Sequence, residues 1–314
     1  MTDNAQWVRP LGSAGVDGWD VVIEPDGSGW SHTGLYVGVL GDGERRILEA
    51  GDRELVVVPL SGSVSVTCVD PLGERHDAEL VGRASVFAGA TDVAYLPWGS
   101  RLEVTGRGPA RVAVCTAVAT KADTVRPFRH VASADVPVEL RGAGTASREV
   151  RNFGIPGLLD ADSIIACEVI TPAGNWSSYP PHKHDEERPG VESELEEIYY
   201  FEIESTERSE LEPTSEGHRA AGGPGMGYVR VYSTGDRPID VLAEVRSGDV
   251  VLVPHGWHGP AMAVPGYHLY YLNVMAGPGP ERAWLICDDP AHGWVRDTWS
   301  TQTIDPRLPF GGTR

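Results

Sequence analysis

The sequence predicts an all-β protein made of two similar barrels with little helix. Short apolar runs recur along the chain between turn residues, among them Gly34–Leu40, Leu55–Val58 and Val93–Leu96. Many short strands at regular spacing are typical of a sandwich or a barrel. Helical periodicity is weak throughout, so we expect few helices.

The strand pattern occurs twice, from about Trp19 to Ala119 and from about Ser163 to Met275. A local phrase also repeats, since Asp92–Gly99 resembles Asp249–Gly256. A polar segment rich in Gly and Pro separates the two sets of strands. We therefore expect three parts: an N-terminal barrel (1–123), a connector (124–160), and a C-terminal barrel with a tail (161–314).

Composition excludes several classes of partner. The 314 residues carry a formal net charge of -19, whereas nucleic acids and anionic membranes reward basic patches. We expect neither as a partner.

Four scattered cysteines without a Cys-x-x-Cys motif indicate reduced thiols. The first residues resemble no secretory signal, so we expect a cytoplasmic protein.

A compact set of metal-binding side chains lies in the second half. His182 and His184 are two residues apart, so both point to one face of a strand. Glu196 and Glu197 begin an aromatic strand shortly afterwards, and His258 follows further along. Because neighbours on a strand face opposite sides, only one of the two glutamates joins the histidines. Three imidazoles and a carboxylate suit one divalent ion such as Zn, Mn, Fe, Co or Ni.

These features resemble the cupin fold, whose motifs are His-x-His followed by Glu, and Gly-x5-Pro-x-Gly followed by His. The second half fits both, with a longer gap between His184 and Glu197 and with His258 only two positions after Gly256. The first half has neither a His pair nor a histidine after Gly99. The resemblance implies a bicupin, two cupin-type barrels of the double-stranded β-helix (jelly-roll) kind, with the chemistry in the second.

Longer phrases give a closer resemblance. The runs Gly174–Asp185, Leu195–Tyr200, Tyr270–Pro278 and Asp289–Trp294 are similar to the 5-deoxy-glucuronate isomerase family of myo-inositol catabolism. The strong part covers about 163–295. The resemblance implies a metal-dependent aldose–ketose isomerase that converts 5-deoxy-D-glucuronate, a small sugar acid, into 5-dehydro-2-deoxy-D-gluconate.

The resemblance also implies a ligand set for one divalent ion, for which we favour Zn or Mn with Fe, Co and Ni as alternatives. The implied metal ligands are His182, His184, Glu197 and His258. The chain departs from the family at His255, Trp257 and Gly259, where the family usually has a small or basic residue and then Gly-Tyr-His-Pro. A tyrosine hydroxyl beside the metal histidine is therefore missing.

An aldose–ketose isomerase moves a proton between adjacent carbons, which calls for a base close to both. The sequence offers several candidates and does not choose among them. The candidate catalytic bases are Glu196, Asp185 and Glu187, with His255 or a metal-bound hydroxide as alternatives. A hydride shift at the metal needs no base.

The substrate carboxylate calls for a cation, because a guanidinium pairs with a carboxylate through two hydrogen bonds. Arg230 is the favoured residue. Lys183 is a weaker candidate, since it alternates away from the histidine pair. Arg148 matches a family arginine, with a salt bridge between the barrels as the alternative. Three further residues line the cavity or else pack in the core: Tyr199, Tyr271 and Asn273.

Two other segments carry expectations. The tail 284–314 is expected to pack across a barrel or a partner subunit, and 205–225 is expected to be an insertion. Cupins commonly associate, so a homo-oligomer is among the expected assemblies. The alternative functions are a uronate isomerase of different scope, a metal-dependent dioxygenase, and a non-catalytic sugar-acid-binding protein. An isomerase works without oxygen and tolerates Zn, whereas a dioxygenase requires oxygen and a redox-active ion.

Overall fold

The computed structural model describes residues 2–27, 29–120, 124–207 and 225–311. The prediction of an all-β fold with little helix is confirmed, since the α-helices in these ranges are two four-residue turns, α1 (Asn4–Trp7) and α2 (Val295–Thr298). No helix in the described ranges is long and apolar enough to cross a membrane. Most of the expected insertion 205–225 lies outside the described residues.

Strands up to residue 131 are, in chain order, β1 (Val8–Arg9), β2 (Val21–Ile23), β3 (Thr33–Leu40), β4 (Arg45–Glu49), β5 (Arg53–Val69), β6 (Arg75–Arg83), β7 (Val93–Leu96), β8 (Arg101–Gly106), β9 (Ala110–Val118) and β10 (Arg129–Val131). The later strands are β11 (Val138–Arg141), β12 (Arg148–Gly154), β13 (Ile165–Thr171), β14 (Trp176–Ser177), β15 (His182–Lys183), β16 (Asp185–Arg188), β17 (Glu192–Glu194), β18 (Glu196–Ser205), β19 (Gly227–Thr234), β20 (Arg237–Val245), β21 (Val250–Val253), β22 (Trp257–Ala263), β23 (Tyr267–Ala276) and β24 (Cys287–Asp288).

The first barrel is one nine-stranded sheet whose longest strand, β5, takes part in two groups of strands. The first part of β5 pairs with β7 and β9, and its second part pairs with β6 and β8. The second barrel has two layers. One is the seven-stranded sheet β1-β21-β18-β23-β13-β12-β11, and the other is the six-stranded sheet β20-β19-β22-β15-β24 with β14 paired to β22.

Strand alternation produces three apolar cores. Val57 points into the first barrel, whereas its neighbour Val56 points to the layer between the barrels. In the second barrel, Tyr199 points inward and Tyr200 points to the same shared layer. Each long strand in contact with the other barrel is therefore buried on both faces, which explains its near-continuous apolar sequence.

Buried charges also join the two halves. Glu54 of β5 accepts hydrogen bonds from the backbone N–H groups of residues 162–164, and Glu196 of β18 does the same for residues 31–33. Two buried ion pairs cross the same layer, Arg83–Glu168 and Arg111–Glu202. Glu54 and Glu196 occupy equivalent positions in the two barrels, one residue before Leu55 and Glu197, which pair with the equivalent strands β7 and β21.

The strand pairing divides the chain differently from the expected boundaries at 123 and 160. Segment 124–160 is not a separate connector, because β10 pairs with β7 whereas β11 and β12 extend the seven-stranded sheet through β13. The first strand also crosses over, since β1 pairs with β21. Residues of the tail lie across the second barrel, where β24 pairs with β15.

Candidate active site

A cavity of about 200 Å³ lies inside the second barrel. One wall is the inner face of the seven-stranded sheet, which contributes Val150, Val169, Glu197, Tyr199, Tyr271 and Asn273. His182 and Ser178 contribute from the facing layer, and the tail covers the cavity with Trp284, Ile286 and Arg296. Arg141 and Arg148 complete the lining from the β11–β12 hairpin.

Strand register brings three histidines together. His182 and His258 are direct partners on β15 and β22, and their ring centroids lie 4.4 Å apart. The His184 ring is 4.6 Å from that of His258. Their potential ligand nitrogens all lie within 4.8 Å of one another. Ligands of one Zn ion lie at about 2.1 Å from it, and thus within about 4 Å of each other, so the cluster fits a single ion with little adjustment.

Backbone carbonyls fix the orientation of the three imidazoles. Nδ1 of His184 lies 3.0 Å from the Leu195 carbonyl oxygen, and Nδ1 of His258 lies 3.0 Å from that of Gly256. Nδ1 of His182 lies 3.5 Å from that of Pro180. A carbonyl only accepts, so each Nδ1 carries the proton and donates it. Nε2 is then left with a free lone pair, the arrangement typical of metal-binding histidines.

Glu197 is the carboxylate that joins the histidines. Its Oε2 lies 3.1 Å from His184 Nε2 and 3.2 Å from His258 Nε2, while the Asn273 amide donates to Oε1. His258 Nε2 is buried without a hydrogen-bond partner among the described residues. A buried polar atom without a partner is rare in proteins and calls for an explanation. Together with the other two imidazole nitrogens and the Glu197 carboxylate, this atom completes a donor set that fits a divalent cation.

Electrostatics favour the cation-binding states of Glu197 and His182. Burial alone raises the pKa of Glu197, but the adjacent imidazoles of His184 and His258 outweigh burial and hold this pKa at about 2, so the carboxylate is ionised. Burial lowers the pKa of His182 well below 6.5, and the two neighbouring histidines lower it further. His182 is therefore neutral at physiological pH.

Tyr199, Tyr271 and Asn273, expected from the sequence to line a cavity, lie together on its wall. Tyr199 pairs with Asn273 across β18 and β23, and its hydroxyl lies 3.0 Å from Ser178 Oγ. Burial raises the pKa of both tyrosines, to well above 10 for Tyr199. Both hydroxyls are thus protonated at neutral pH and act as hydrogen-bond donors.

The expected role of Glu196 as a catalytic base is wrong, because strand alternation turns it away from the cavity. Its carboxylate accepts the backbone N–H groups of Ser31, His32 and Thr33 at 3.0, 2.7 and 2.6 Å, and the Thr33 hydroxyl at 3.0 Å. Glu196 and Glu197 do face opposite sides, as the sequence predicts. One connects the barrels and the other belongs to the histidine cluster.

Lys183, Asp185 and Glu187 also lie outside the cavity lining, which corrects their expected roles. The long gap between His184 and Glu197 contains a hairpin of β16 and β17. Lys183 Nζ is buried 2.7 Å from both Asp185 Oδ1 and Glu192 Oε1. Burial raises the pKa of Asp185, but its bonds to Lys183 and the Gly256 N–H outweigh this and hold it at about 2. Glu187 is exposed on the hairpin.

Arg230 does not reach the cavity, so its expected role in carboxylate binding is wrong. On β19 the inward positions are Val229 and Val231, and Arg230 alternates outward. Its guanidinium lies 2.5 Å from the Asp240 carboxylate. His255, the alternative base, is also absent from the cavity lining.

The cations that do line the cavity come from segments to which the sequence analysis gave no firm site role. Arg141 and Arg148 flank the turn between β11 and β12, and Arg296 lies in α2. Resemblance had drawn attention to Arg148, with a salt bridge as the alternative. Arg148 makes no ion pair with any described residue, so that alternative is wrong.

Comparison with known proteins gives consistent matches. The family model described as the KduI/IolB family matches residues 8–295. A protein of Geobacillus kaustophilus called 5-deoxy-glucuronate isomerase is 40% identical over 298 residues, covering 93% of this chain and 95% of its own length. A Bacillus subtilis protein of the same name is 37% identical over 260 residues, covering 82% and 84%.

Solved structures agree on the fold. The crystal structure of an IolB-like protein from Salmonella typhimurium matches with a TM-score of 0.77 and 33% identity, covering 92% of this chain and 99% of that one. Oxalate decarboxylase from Lactobacillus farciminis matches with a TM-score of 0.59 and 11% identity, covering 90% and 88%. The second likeness shows the fold alone, and the prediction of an all-β bicupin is confirmed.

Proposed function

The chain belongs to the KduI/IolB family and is an isomerase, and from this premise we propose that it converts 5-deoxy-D-glucuronate into 5-dehydro-2-deoxy-D-gluconate with one bound divalent metal ion. Relatives that carry the name 5-deoxy-glucuronate isomerase support the substrate. The reaction shifts hydrogen from C2 and its hydroxyl to C1 and the aldehyde oxygen. It needs no oxidant, reductant or second substrate.

The observation that carries the proposal is the convergence of three imidazoles and one ionised carboxylate at the wall of a cavity large enough for a small sugar acid. The proposed ligands are His182, His184, Glu197 and His258. A divalent ion held there supplies Lewis acidity, which lowers the cost of negative charge on the substrate oxygens. Nitrogen-rich donor sets of this kind suit Zn or Mn, with Fe, Co and Ni as alternatives.

The other side chains of the cavity have roles that follow from their hydrogen bonds. Asn273 donates to Glu197 and fixes the carboxylate orientation, as outer partners of metal ligands commonly do. The protonated hydroxyls of Tyr199 and Tyr271 donate to the hydroxyl and carbonyl oxygens of the sugar. The tail residues Trp284 and Ile286 add apolar surface to the cavity lining.

The test is to incubate metal-loaded protein with 5-deoxy-D-glucuronate without oxygen and to follow the aldehyde and ketone signals by NMR. Conversion that stops on chelation and returns with added Zn or Mn supports the proposal. Turnover only with oxygen and a redox-active ion would favour a dioxygenase instead. Turnover of another uronate alone would keep the isomerase and reject the substrate.

A further inference from the structure

Arg148 is a buried cation without a counter-charge. The residue is 5% exposed and lines the same cavity as Glu197 and His182. Among the residues that the structure describes, no carboxylate lies within ion-pair distance of its guanidinium. Removing a charge from water without pairing it is strongly unfavourable. An anion that binds from outside the chain would neutralise such a charge and explain why an arginine is kept at this position.

Contacts hold the Arg148 guanidinium in place without neutralising it. Nη1 donates to the backbone oxygens of Ala146 and Tyr179, at 3.0 and 3.4 Å. The guanidinium lies over the Trp299 ring, 5.4 Å from its centroid. Burial lowers the Arg148 pKa to about 10, so the side chain keeps its proton at neutral pH. A charged group with a fixed orientation is a prepared site for an anion.

Neighbouring arginines do not share this property. Arg141 forms a two-pronged pair with Glu139, at 3.0 and 2.7 Å, and Arg296 pairs with Asp288. These two guanidinium groups are neutralised, so the excess positive charge on this wall belongs to Arg148.

Two tryptophans of the tail add uncommitted donors. The Nε1 atoms of Trp284 and Trp299 are both buried without a hydrogen-bond partner in the described part of the chain. Trp284 stacks against Arg141, and Trp299 stacks against both Arg148 and Arg296. Of the two, Trp284 belongs to the cavity lining, so its N–H group is a further hydrogen-bond donor available to a ligand there.

We propose that Arg148 binds the carboxylate of the sugar acid and thereby directs the other end of the substrate toward the cluster of Glu197 and the histidines. The inference rests on the proposed function for the identity of the substrate. The preference for a carboxylate over a neutral group can be measured independently. Tyr271 lines the same cavity as Arg148 and Glu197.

The test compares two probes of nearly the same shape, of which only one carries a negative charge. Calorimetric titration of the metal-loaded protein with D-glucuronate and with D-glucuronamide gives the ratio of their dissociation constants. We expect the carboxylate to bind at least about tenfold more tightly. In Arg148→Gln the ratio should fall to near one, and in Arg148→Lys it should be partly restored. Because a ratio is measured, partial loss of folded protein cancels.

Arg230→Gln is the matched control, because it removes a guanidinium from the outer face of the same barrel and should keep the ratio. A retained ratio in Arg148→Gln would overturn the proposal, and so would an equal loss in Arg230→Gln. With 5-deoxy-D-glucuronate as substrate, Arg148→Gln should lower kcat/KM about 30-fold, mainly through KM. A wild-type protein that prefers the carboxylate but does not turn over the substrate would refute the proposed function and leave this subsite standing.

Discussion

The adjacent residues Glu196 and Glu197 should affect different properties of the protein when each is changed to glutamine. Glu197→Gln removes charge from the histidine cluster, so metal content and turnover should fall while the barrels stay folded. Glu196→Gln leaves the cluster intact and weakens the contact between barrels. The two substitutions are chemically identical and one residue apart, so any difference between them reports the face of the strand.

The structure sets the expected cost of Glu196→Gln. Oε1 accepts three hydrogen bonds and Oε2 accepts the fourth, from Ser31. Glutamine keeps one oxygen, so one bond is lost and three lose their charge assistance. Hydrogen bonds to charged groups contribute about 1.5–3 kcal/mol each, so one lost bond and three weakened ones together cost at least about 3 kcal/mol. With an unfolding entropy of about 0.7 kcal/mol/K for a chain of this length, Tm should fall by about 5 °C.

Calorimetry for Tm, elemental analysis for metal and NMR for turnover together distinguish the variants. Glu54→Gln is the matched control, because Glu54 makes the equivalent contact from the first barrel and lies far from the cluster in sequence. It should lower Tm by a similar amount and leave metal content unchanged. The assignment of faces is refuted if Glu196→Gln loses its metal, or if Glu197→Gln retains both metal and turnover.

Three further variants test other parts of the structure. His184→Ala should lose metal and activity while its far-UV circular dichroism stays unchanged; full metal content would remove His184 from the ligand set. Tyr199→Phe should lower kcat/KM about tenfold with metal retained, the cost of one hydrogen bond in the cavity; unchanged kinetics would leave Tyr199 a packing residue. Burial lowers the pKa of His268 from 6.5 to about 4, and its Nδ1 accepts the Ala173 N–H. As pH falls from 6.5 toward 4, His268 therefore becomes protonated in the unfolded chain before it does so in the folded protein. The free energy of unfolding falls in that window, by about 1 kcal/mol at pH 5 after allowance for partial exposure. His268→Gln should remove that part of the pH slope in urea unfolding, and an identical slope would show that His268 does not contribute.

Local alternation explains what the sequence could predict at the candidate site. His182 and His184 flank one position, and Glu197 has the inward parity of Tyr199, so one strand rule brings all three toward the barrel interior. The same rule was available for Arg230. Its neighbours Val229 and Val231 are the apolar, inward positions, which already places the arginine outside.

Arg148, Arg296 and Trp284 could not be placed in the same way. Their positions depend on which sheet the β11–β12 hairpin pairs with and on where the tail crosses the barrel. Neither is encoded in a local period, because the hairpin is placed by the pairing of β12 with β13, and the tail by the pairing of β24 with β15, more than a hundred residues earlier. Lys183 does alternate away from the histidine pair, as the sequence predicts, but its buried partner Glu192 lies on the β16–β17 hairpin, whose pairing the sequence analysis did not predict.

Strand β1 affects how this chain must fold as it leaves the ribosome. Val8 pairs with Val251, so the nascent chain waits for about 240 further residues, roughly 10 to 50 s of synthesis, before its first strand finds a partner. That partner strand, β21, is the neighbour of β18, which carries Glu197. An expressed fragment that begins after residue 123 would leave the β21 edge open to pairing with other molecules. Attempts to produce the second barrel alone should therefore retain the first eleven residues, supplied as a fused or separate peptide.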